Sequence, residues 1–392
     1  MASKRVLLAA EINRGPAAVK RLAPVAAALL QRGHDVALAL PDNLAIDSGG
    51  IRVCRVPAWT TPPPPGFVAV NYADVLHLSG YATPGALTDV LNPWRAVLAE
   101  VRPDLLITDF APTAMLAARI ARIRQACLGD GYSLPPLMRP MPVLRPWAGT
   151  PPEEAADTDG RVLAVIEACL LGHGLPGLRF MRDLFRDVPR FLCTFPELDH
   201  YTGRGEAEYF GEILPVWEGP VPDWPTGDGE PVYVDLDPRH PALGPLIEVL
   251  DRLGLPSLIQ GSGMTEALAA RAARPGVLVT TSRNLPPVLE ACSIVVCQGA
   301  DVGVPALLSG KPLLMLPVFV EQMMTLHRVA TQGLGHGISP DSDAAAIDGA
   351  LRRLVDDHAC RRRAANFARS YEGFDSTEVI ETVADALEDL LG

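Results

Sequence analysis

The chain carries seven cysteines and no Cys-x-x-Cys pair; they stand singly at Cys54, Cys127, Cys169, Cys193, Cys292, Cys297 and Cys360. That odd, scattered set excludes a disulfide framework, and the His and Cys spacing offers no zinc motif. Most of the thiols fall inside apolar runs, which reads as buried and reduced and implies a cytoplasmic setting. Long hydrophobic runs are also missing. No stretch reaches the roughly 18 apolar residues of a membrane span. The short run at 6–10, after Lys4 and Arg5, is too brief for a signal-peptide core and reads as a buried strand. Nor is there a basic excess: 34 Lys and Arg against 46 Asp and Glu leave a net charge of −12. A general nucleic-acid binder is excluded on that count. A nucleotide ligand is not, because helix ends and backbone amides hold phosphate without net positive charge. No repeat at a solenoid period and no long low-complexity tract is present.

What is present is ordinary globular material: 392 residues, 48% hydrophobic and 20% charged. That length suits two domains rather than one core. The opening reads as a strand over 5–10, a polar loop over 11–16, a helix over 17–32, Gly33 as its C-cap, and a strand over 35–39. This is a β-loop-α-β unit with a crossover long enough for parallel strands. A second such unit has a helix at 93–102, a strand at 104–108 ending on Asp109, and a helix at 113–123. Short continuous apolar strands alternating with helices predict a parallel sheet covered on both faces.

Residues 57–67, with four consecutive prolines from Pro62 to Pro65, cannot form a central strand and are expected to flank the acceptor side. The proline-rich stretch 130–159 reads as an excursion before a helix at 161–171. Residues 216–231 (VWEGPVPDWPTGDGEP) lose all periodicity and mark an interdomain linker. Beyond them the rhythm restarts: strands at 232–236, 257–260, 276–280, 293–297 and 312–316, and helices at 242–253, 304–309 and 321–332. The predicted domains are therefore 1–215 and 232–376. An amphipathic helix, 377–391, closes the chain.

The run CQGADVGVPALLSGKPLLMLPVFVEQMMTLHRVATQGLG, from Cys297 to Gly335, resembles the donor-binding signature of family 1 (UDP-glycosyltransferase-like) enzymes. Gly310 to Pro312, Leu316 with Pro317, Glu321 with Gln322, Arg328, and Gly333 to Gly335 match it in order and spacing. RLAPVAAALLQRGHDVALA resembles the family's first helix and second strand, PDLLITD its strand ending in Asp, and TFPELD the segment before the linker. The resemblance spans almost the whole chain. It implies the GT-B fold: two doubly wound Rossmann-like domains facing a central cleft, with the C-terminal helix 377–392 crossing back to the N-terminal domain. It also implies an acceptor-side first domain, a donor-side second domain, and no resident metal or cofactor, a UDP- or TDP-sugar serving as co-substrate. Two hallmark histidines of the family are replaced. The phosphate-facing one falls on Gln298, followed by Gly299, Ala300, Asp301, Val302 and Gly303, and the Thr that helps hold phosphate is absent. The catalytic one falls within residues 16–18. Asp301 puts negative charge near the expected diphosphate.

Inverting glycosyl transfer needs a held diphosphate, a base for the acceptor hydroxyl, and alignment of the two substrates. For the donor, Gln298, Gly299, Ala300, Asp301 and Gly303 lead into a helix N-terminus suited to phosphate, with a plain strand-turn-helix connection as the alternative. Gly261, Ser262 and Gly263 offer a second small-residue loop, or merely a structural turn. Arg283 stands where the family contacts the base, or is a surface arginine. Glu321 and Gln322 match the sugar-binding pair, and their position also suits a helix cap. For the base, Asp109 ranks first and Glu11 second, since each ends an apolar parallel strand; Asp130 is a third. Asn13, Arg14, Gly15, Asp130 and Tyr132 make up the acceptor side. His34 reads as structural, and His240 lies near the expected cleft. Asp235 and Asp237 suggest Mg²⁺ as a pair, but the family manages without metal and none is expected.

The leading expectation is a metal-independent, inverting glycosyltransferase acting on a nucleotide-diphosphate sugar and a small, partly apolar acceptor. Two alternatives stand beside it: a catalytically inactive nucleotide-sugar or small-molecule binding protein that partners another enzyme, and a sugar-nucleotide epimerase.

Overall fold

The computed structural model describes residues 2–12, 17–44, 48–58, 63–272 and 274–392. It divides into two units: Met1–Leu214 together with Asp375–Gly392, and Pro215–Phe374. The stretch 216–231 counts with the second unit.

The first unit contains β1 (Arg5–Ala10), α1 (Ala17–Gln31), β2 (Asp35–Pro41), β3 (Arg52–Val56), α2 (Tyr72–Leu78), α3 (Pro84–Val101), β4 (Leu105–Asp109), α4 (Pro112–Ala121), β5 (Arg124–Gly129), α5 (Pro152–Gly172) and β6 (Arg190–Leu192). Its six strands are all parallel, in the order β3-β2-β1-β4-β5-β6. Val6 through Ala10 have no exposed surface, as a central strand covered on both faces requires. Residues on α1 recur at helical spacing toward this sheet, Ala18, Leu22, Val25 and Leu29 all being buried.

The second unit contains β7 (Val232–Asp235), α6 (Leu243–Leu253), β8 (Ser257–Gln260), α7 (Glu266–Ala272), β9 (Val277–Thr280), α8 (Leu285–Ala291), β10 (Ile294–Cys297), α9 (Ala300–Leu308), β11 (Leu313–Met315), α10 (Val320–Gln332), β12 (Gly335–Gly337), α11 (Ala344–Asp356) and α12 (His358–Ser370). Its parallel sheet runs β12-β11-β10-β7-β8-β9. Read from β9, this repeats the winding of the first unit. Strand order reverses between β1 and β4 in one unit and between β7 and β10 in the other, and ligands of doubly wound sheets collect at the carboxyl ends of such a switch point.

Several elements differ from the sequence expectation. Pro93, read as a helix start, lies inside α3, which begins nine residues earlier at Pro84 with Thr83 as its N-cap. A buried stripe from Leu87 through Leu91, Trp94 and Leu98 to Val101 carries the helix through the proline. The supposed excursion before residue 161 already contains the first turns of α5, where Glu153 and Glu154 complement the helix dipole. α9 starts at Ala300 rather than 304. No helix among the described residues is long and apolar enough to cross a membrane.

The last helix, α13 (Ser376–Asp389), belongs to the first unit, packed on α1. Val379, Val383, Ala384 and Leu387 form its buried face. At the rim, Arg32 reaches Asp385 at 2.6 Å and Glu388 at 2.7 Å, and His34 Nε2 lies 2.9 Å from Glu388. The apolar seam should dominate, because the ion pairs are partly solvated. Leu387→Ala is expected to destabilise the first unit by about 2–5 kcal/mol in urea denaturation. Arg32→Ala should cost no more than about 1 kcal/mol, an effect that shrinks in high salt.

Candidate functional site

At the switch point of the first unit, three carboxylates stand at strand ends. Asp109 closes β4 with no exposed surface. Arg21, on the buried face of α1, clamps it: Nε donates to Asp109 Oδ2 at 2.8 Å and Nη2 to Oδ1 at 3.3 Å. The third nitrogen, Nη1, lies 3.3 Å from Asp130 Oδ2, while Asp130 Oδ1 accepts from the Ser133 backbone N–H at 2.8 Å. Burial opposes the Arg21 charge, but Asp109 and Asp130 outweigh it and hold its pKa well above the ordinary value. Burial pushes Asp109 up, against the lowering effect of Arg21. For Asp130 burial acts the same way, but Arg21, His200 and the Ser133 hydrogen bonds win and keep it below the usual range. The packing is tight: a Cβ on Gly129 would fall 2.2 Å from Ser133 Oγ and 3.1 Å from Asp109 Oδ1.

These pairings correct the ranking of bases. Asp109 is sealed from solvent with both oxygens on Arg21, so it cannot meet an acceptor hydroxyl. Asp130 has both oxygens engaged as well, and serves to complete the clamp.

Glu11 differs. It follows β1 and is half-buried. One oxygen, Oε2, accepts from the Thr113 backbone N–H at 2.8 Å, at the start of α4, whose own N-cap Ala111 has no side chain to offer. The turn that brings α4 there puts Phe110 at φ 50, a left-handed conformation that non-glycine residues seldom adopt outside constrained sites. Burial raises the Glu11 pKa from 4.5 to about 7, against hydrogen bonds from Thr113 and Ala114 that lower it. Glu11 also lines a cavity of about 90 Å³ together with Pro41, Pro57, Ser79, Asp89 and Trp94. Tyr132 packs edge-on against Phe110, their ring centroids 5.5 Å apart, beside the same switch point. Asn13, Arg14 and Gly15 lie outside the described residues, as does Pro62.

Arg21, Ser79, Asp89 and Trp94 were not picked out from sequence. Arg21 had a signal: it shares the 18–22–25–29 stripe of α1, where a charge demands a buried partner. The cavity residues had none, because α2 and α3 bring them in from far along the chain.

In the second unit, Gln298 follows β10 at the switch point. Its Oε1 accepts from the Asp237 backbone N–H at 3.0 Å, tying the β7 and β10 ends together. Gly299 is the N-cap of α9, Ala300 and Asp301 form its first turn, and no side chain caps it. Gly299 sits against Gln322: a Cβ there would lie 3.3 Å from Gln322 Cγ. Gly303 is a packing glycine facing Leu313. Gln322 is buried, and its Oε1 accepts from the Val318 and Phe319 N–H groups at 2.8 and 3.3 Å. A backbone N–H donating to each oxygen fixes both amide orientations, leaving their nitrogens as donors. Glu321 is half-buried and accepts from Thr325 Oγ1 at 3.1 Å.

The Gly261–Ser262–Gly263 turn is largely self-contained. Ser262 donates through N and Oγ to Gln260 Oε1 at 3.0 and 2.8 Å, and a Cβ on Gly261 would strike Val279 at 2.2 Å. Arg283 is exposed and pairs with no carboxylate among the described residues. His240 is structural: Nε2 contacts Leu316 O at 3.0 Å and Nδ1 accepts from Ala242 N at 3.2 Å, while burial lowers its pKa and favours the neutral ring. Asp237 is neutralised by Arg239 at 2.9 Å.

The Glu11 shift has a definite stability sign. Between pH 4.5 and about 7 the folded state holds a proton that the unfolded state has lost. Stability is therefore full below that window, falls as pH rises through it, and is flat above, by at most about 3 kcal/mol. Glu11→Gln is expected to melt higher than the parent at pH 8 and to match it at pH 4. A melting-temperature series over that range checks this, and a parent curve showing no extra fall across the window would contradict it.

No protein-family model matches the sequence, and no curated protein matches it. Solved structures do. The calicheamicin glycosyltransferase CalG4 superposes with TM-score 0.73 at 20% identity, covering 100% of this chain and 99% of that one. The glycosyltransferase SnogD from Streptomyces nogalater gives 0.66 at 18%, covering 100% of both chains. The glycosyltransferase VinC in complex with DTDP gives 0.68 at 17%, covering 97% of this chain and 100% of that one. At these identities the likeness establishes the fold: the chain has the GT-B fold of these glycosyltransferases.

Proposed function

We propose that the chain is a glycosyltransferase that moves a sugar from a nucleotide-diphosphate sugar to a hydroxyl of a small, partly apolar acceptor, with inversion and without a metal ion. The observation that carries this reading is Glu11. It is the one strand-end carboxylate of the first switch point left out of the Arg21 clamp, it lines a cavity with Pro41, Pro57 and Trp94, and its pKa near 7 suits a general base at neutral pH.

In this mechanism the acceptor hydroxyl hydrogen-bonds to the Glu11 carboxylate, which takes its proton as the oxygen attacks the anomeric carbon. The sugar–phosphate bond breaks and the nucleoside diphosphate leaves with the electron pair. Its growing charge meets the N-terminal amides of α9 and the amide nitrogens of Gln298 and Gln322, all donors. Glu321 accepts from sugar hydroxyls, and exposed Arg283 contacts the nucleotide. A UDP- or TDP-sugar is the expected donor. All seven cysteines are free and buried, in keeping with a reducing cytoplasmic setting.

One observation favours a second reading, a nucleotide-sugar binding protein without transfer. Asp301 stands in the first turn of α9, where its charge opposes a diphosphate.

Calorimetry and thermal shift with UDP, TDP and GDP test the donor side. A nucleotide held at a hundred times its Kd should stabilise the protein by about 2.7 kcal/mol. Gln298→Ala should weaken that binding, and Glu321→Ala should weaken binding of the corresponding nucleotide-sugar while leaving that of the bare nucleotide unchanged. No shift with any nucleotide at millimolar concentration would overturn the donor assignment.

On the acceptor side, kcat should rise with pH through about 7 as Glu11 ionises. Glu11→Gln should lower kcat by about 10²–10⁴ while leaving nucleotide binding unchanged. Nucleotide binding with no transfer to any acceptor hydroxyl supports the second reading.

A further inference from the structure

The sequence spacing offers no zinc motif, yet among the described residues the fold assembles one candidate donor set away from both switch points. His336, the central residue of β12, faces Asp357 and Cys360 at the start of α12. One ligand atom from each lies within 4.8 Å of the other two, and His336 Nε2 is 2.9 Å from Asp357 Oδ2. We propose that these three side chains form a site for a borderline-soft divalent cation, Zn²⁺ in particular, holding edge strand β12 against α12.

The chemistry of the set favours zinc. Imidazole, carboxylate and thiolate are its ordinary protein ligands, whereas Mg²⁺ and Ca²⁺ call for oxygen alone. The size fits as well. Around a tetrahedral zinc, neighbouring ligand atoms stand roughly 3.4–3.6 Å apart. The His336–Asp357 pair must open by about 0.5 Å, and no other pair need close by more than about 1.2 Å.

Orientation is already supplied. Asp357 is the N-cap of α12, and its Oδ1 accepts from the Cys360 backbone N–H at 2.9 Å, which aims Oδ2 at His336. This is the fixing of a ligating carboxylate that metal sites use. The strand carrying His336 cannot shift freely. A Cβ on Gly335 would meet Leu313 O at 2.4 Å, and one on Gly337 would meet Leu326 at 2.2 Å, so both flanking positions need glycine. Access comes from one side: the side chains of His336 and Asp357 are 40% and 31% exposed, while Cys360 is buried in the core behind them. Three protein ligands leave the fourth position to water on the open side. On binding, the thiol gives up its proton to solvent as the sulfur–metal bond forms, and no oxidant or reductant is involved.

Co²⁺ replaces Zn²⁺ and is visible, so the test is a Co²⁺ titration of the tag-free full chain under anaerobic conditions. The expected result is one cobalt per chain, with a near-ultraviolet thiolate-to-cobalt charge-transfer band and intense visible d–d bands, both erased by added Zn²⁺. Cys360→Ser should lose the charge-transfer band. His336→Gln changes a half-exposed side chain, so it should keep the metal-free melting temperature and lose the stabilisation that Zn²⁺ gives the parent. A parent protein without the charge-transfer band overturns the proposal. So does a band that survives Cys360→Ser, which would place the cobalt on another cysteine.

Discussion

The reversal of winding at the middle of each sheet is the constraint on which the rest depends. Right-handed crossovers place successive parallel strands to one side of β1, then to the other side from β4 onward; β7 and β10 repeat the pattern. In doubly wound sheets the connections leave the central pair in opposite directions, and a crevice opens at its carboxyl ends. Whatever residue follows each central strand is presented at that gap. Glu11 follows β1, Asp109 ends β4, and Gln298 follows β10. Their placement is a consequence of topology, before any local preference of the side chains is considered.

Topology presents carboxylates, and pairing decides which can act. A buried charge must be matched, and Arg21 is matched twice, by Asp109 and by Asp130. That triad ties α1, β4 and the loop after β5 into one rigid wall. Its cost is that two of three strand-end carboxylates become structural. Glu11 takes on a different task, receiving the first amides of α4, and its hydrogen bonds from Thr113 and Ala114 are too weak to offset its burial. A carboxylate so placed is less stable than its protonated form at mildly acid pH, and this imbalance is what a base at neutral pH requires. Under the proposed mechanism, stability and reactivity pull against each other at this position.

The fold was legible in the sequence because its signals are local. Apolar runs such as Val6–Ala10 and Leu105–Ile107 are continuous over the length of a doubly covered strand, and Gly33 and Gly254 close their helices in the left-handed conformation. The site was legible only as positions. Glu11 and Asp109 look alike on paper, each a carboxylate at the end of an apolar strand. What separates them is Arg21, which lies 88 residues from Asp109 along the chain. Pro93 misled for a related reason: a helix breaker by local rule, it is overruled by the buried face of α3, whose partners are distant in sequence. The set of His336, Asp357 and Cys360 escaped in the same way, since β12 and α12 are joined by a full helix, α11.

Gln298, at the position where the family it resembles has a histidine, shows what the proposed donor loop can keep. At the first switch point the two strand ends are joined by a backbone bond, Ile12 N–H to Phe110 O at 2.9 Å. At the second, the side-chain amide of Gln298 performs the join, accepting from Asp237 N–H. That choice consumes its oxygen and turns its nitrogen outward as a donor. Gln322 is oriented in the same sense by Val318 and Phe319 N–H, and a Cβ on Gly299 would touch its amide. Two neutral amides, each oriented by a backbone N–H, thus present the same polarity, hydrogen rather than lone pair. A phosphate oxygen requires that polarity, and unlike a histidine pair it does not vary with pH. The loop has lost a titratable cation and retained a fixed array of donors, so its capacity for phosphate rests on geometry, against the single opposing charge of Asp301.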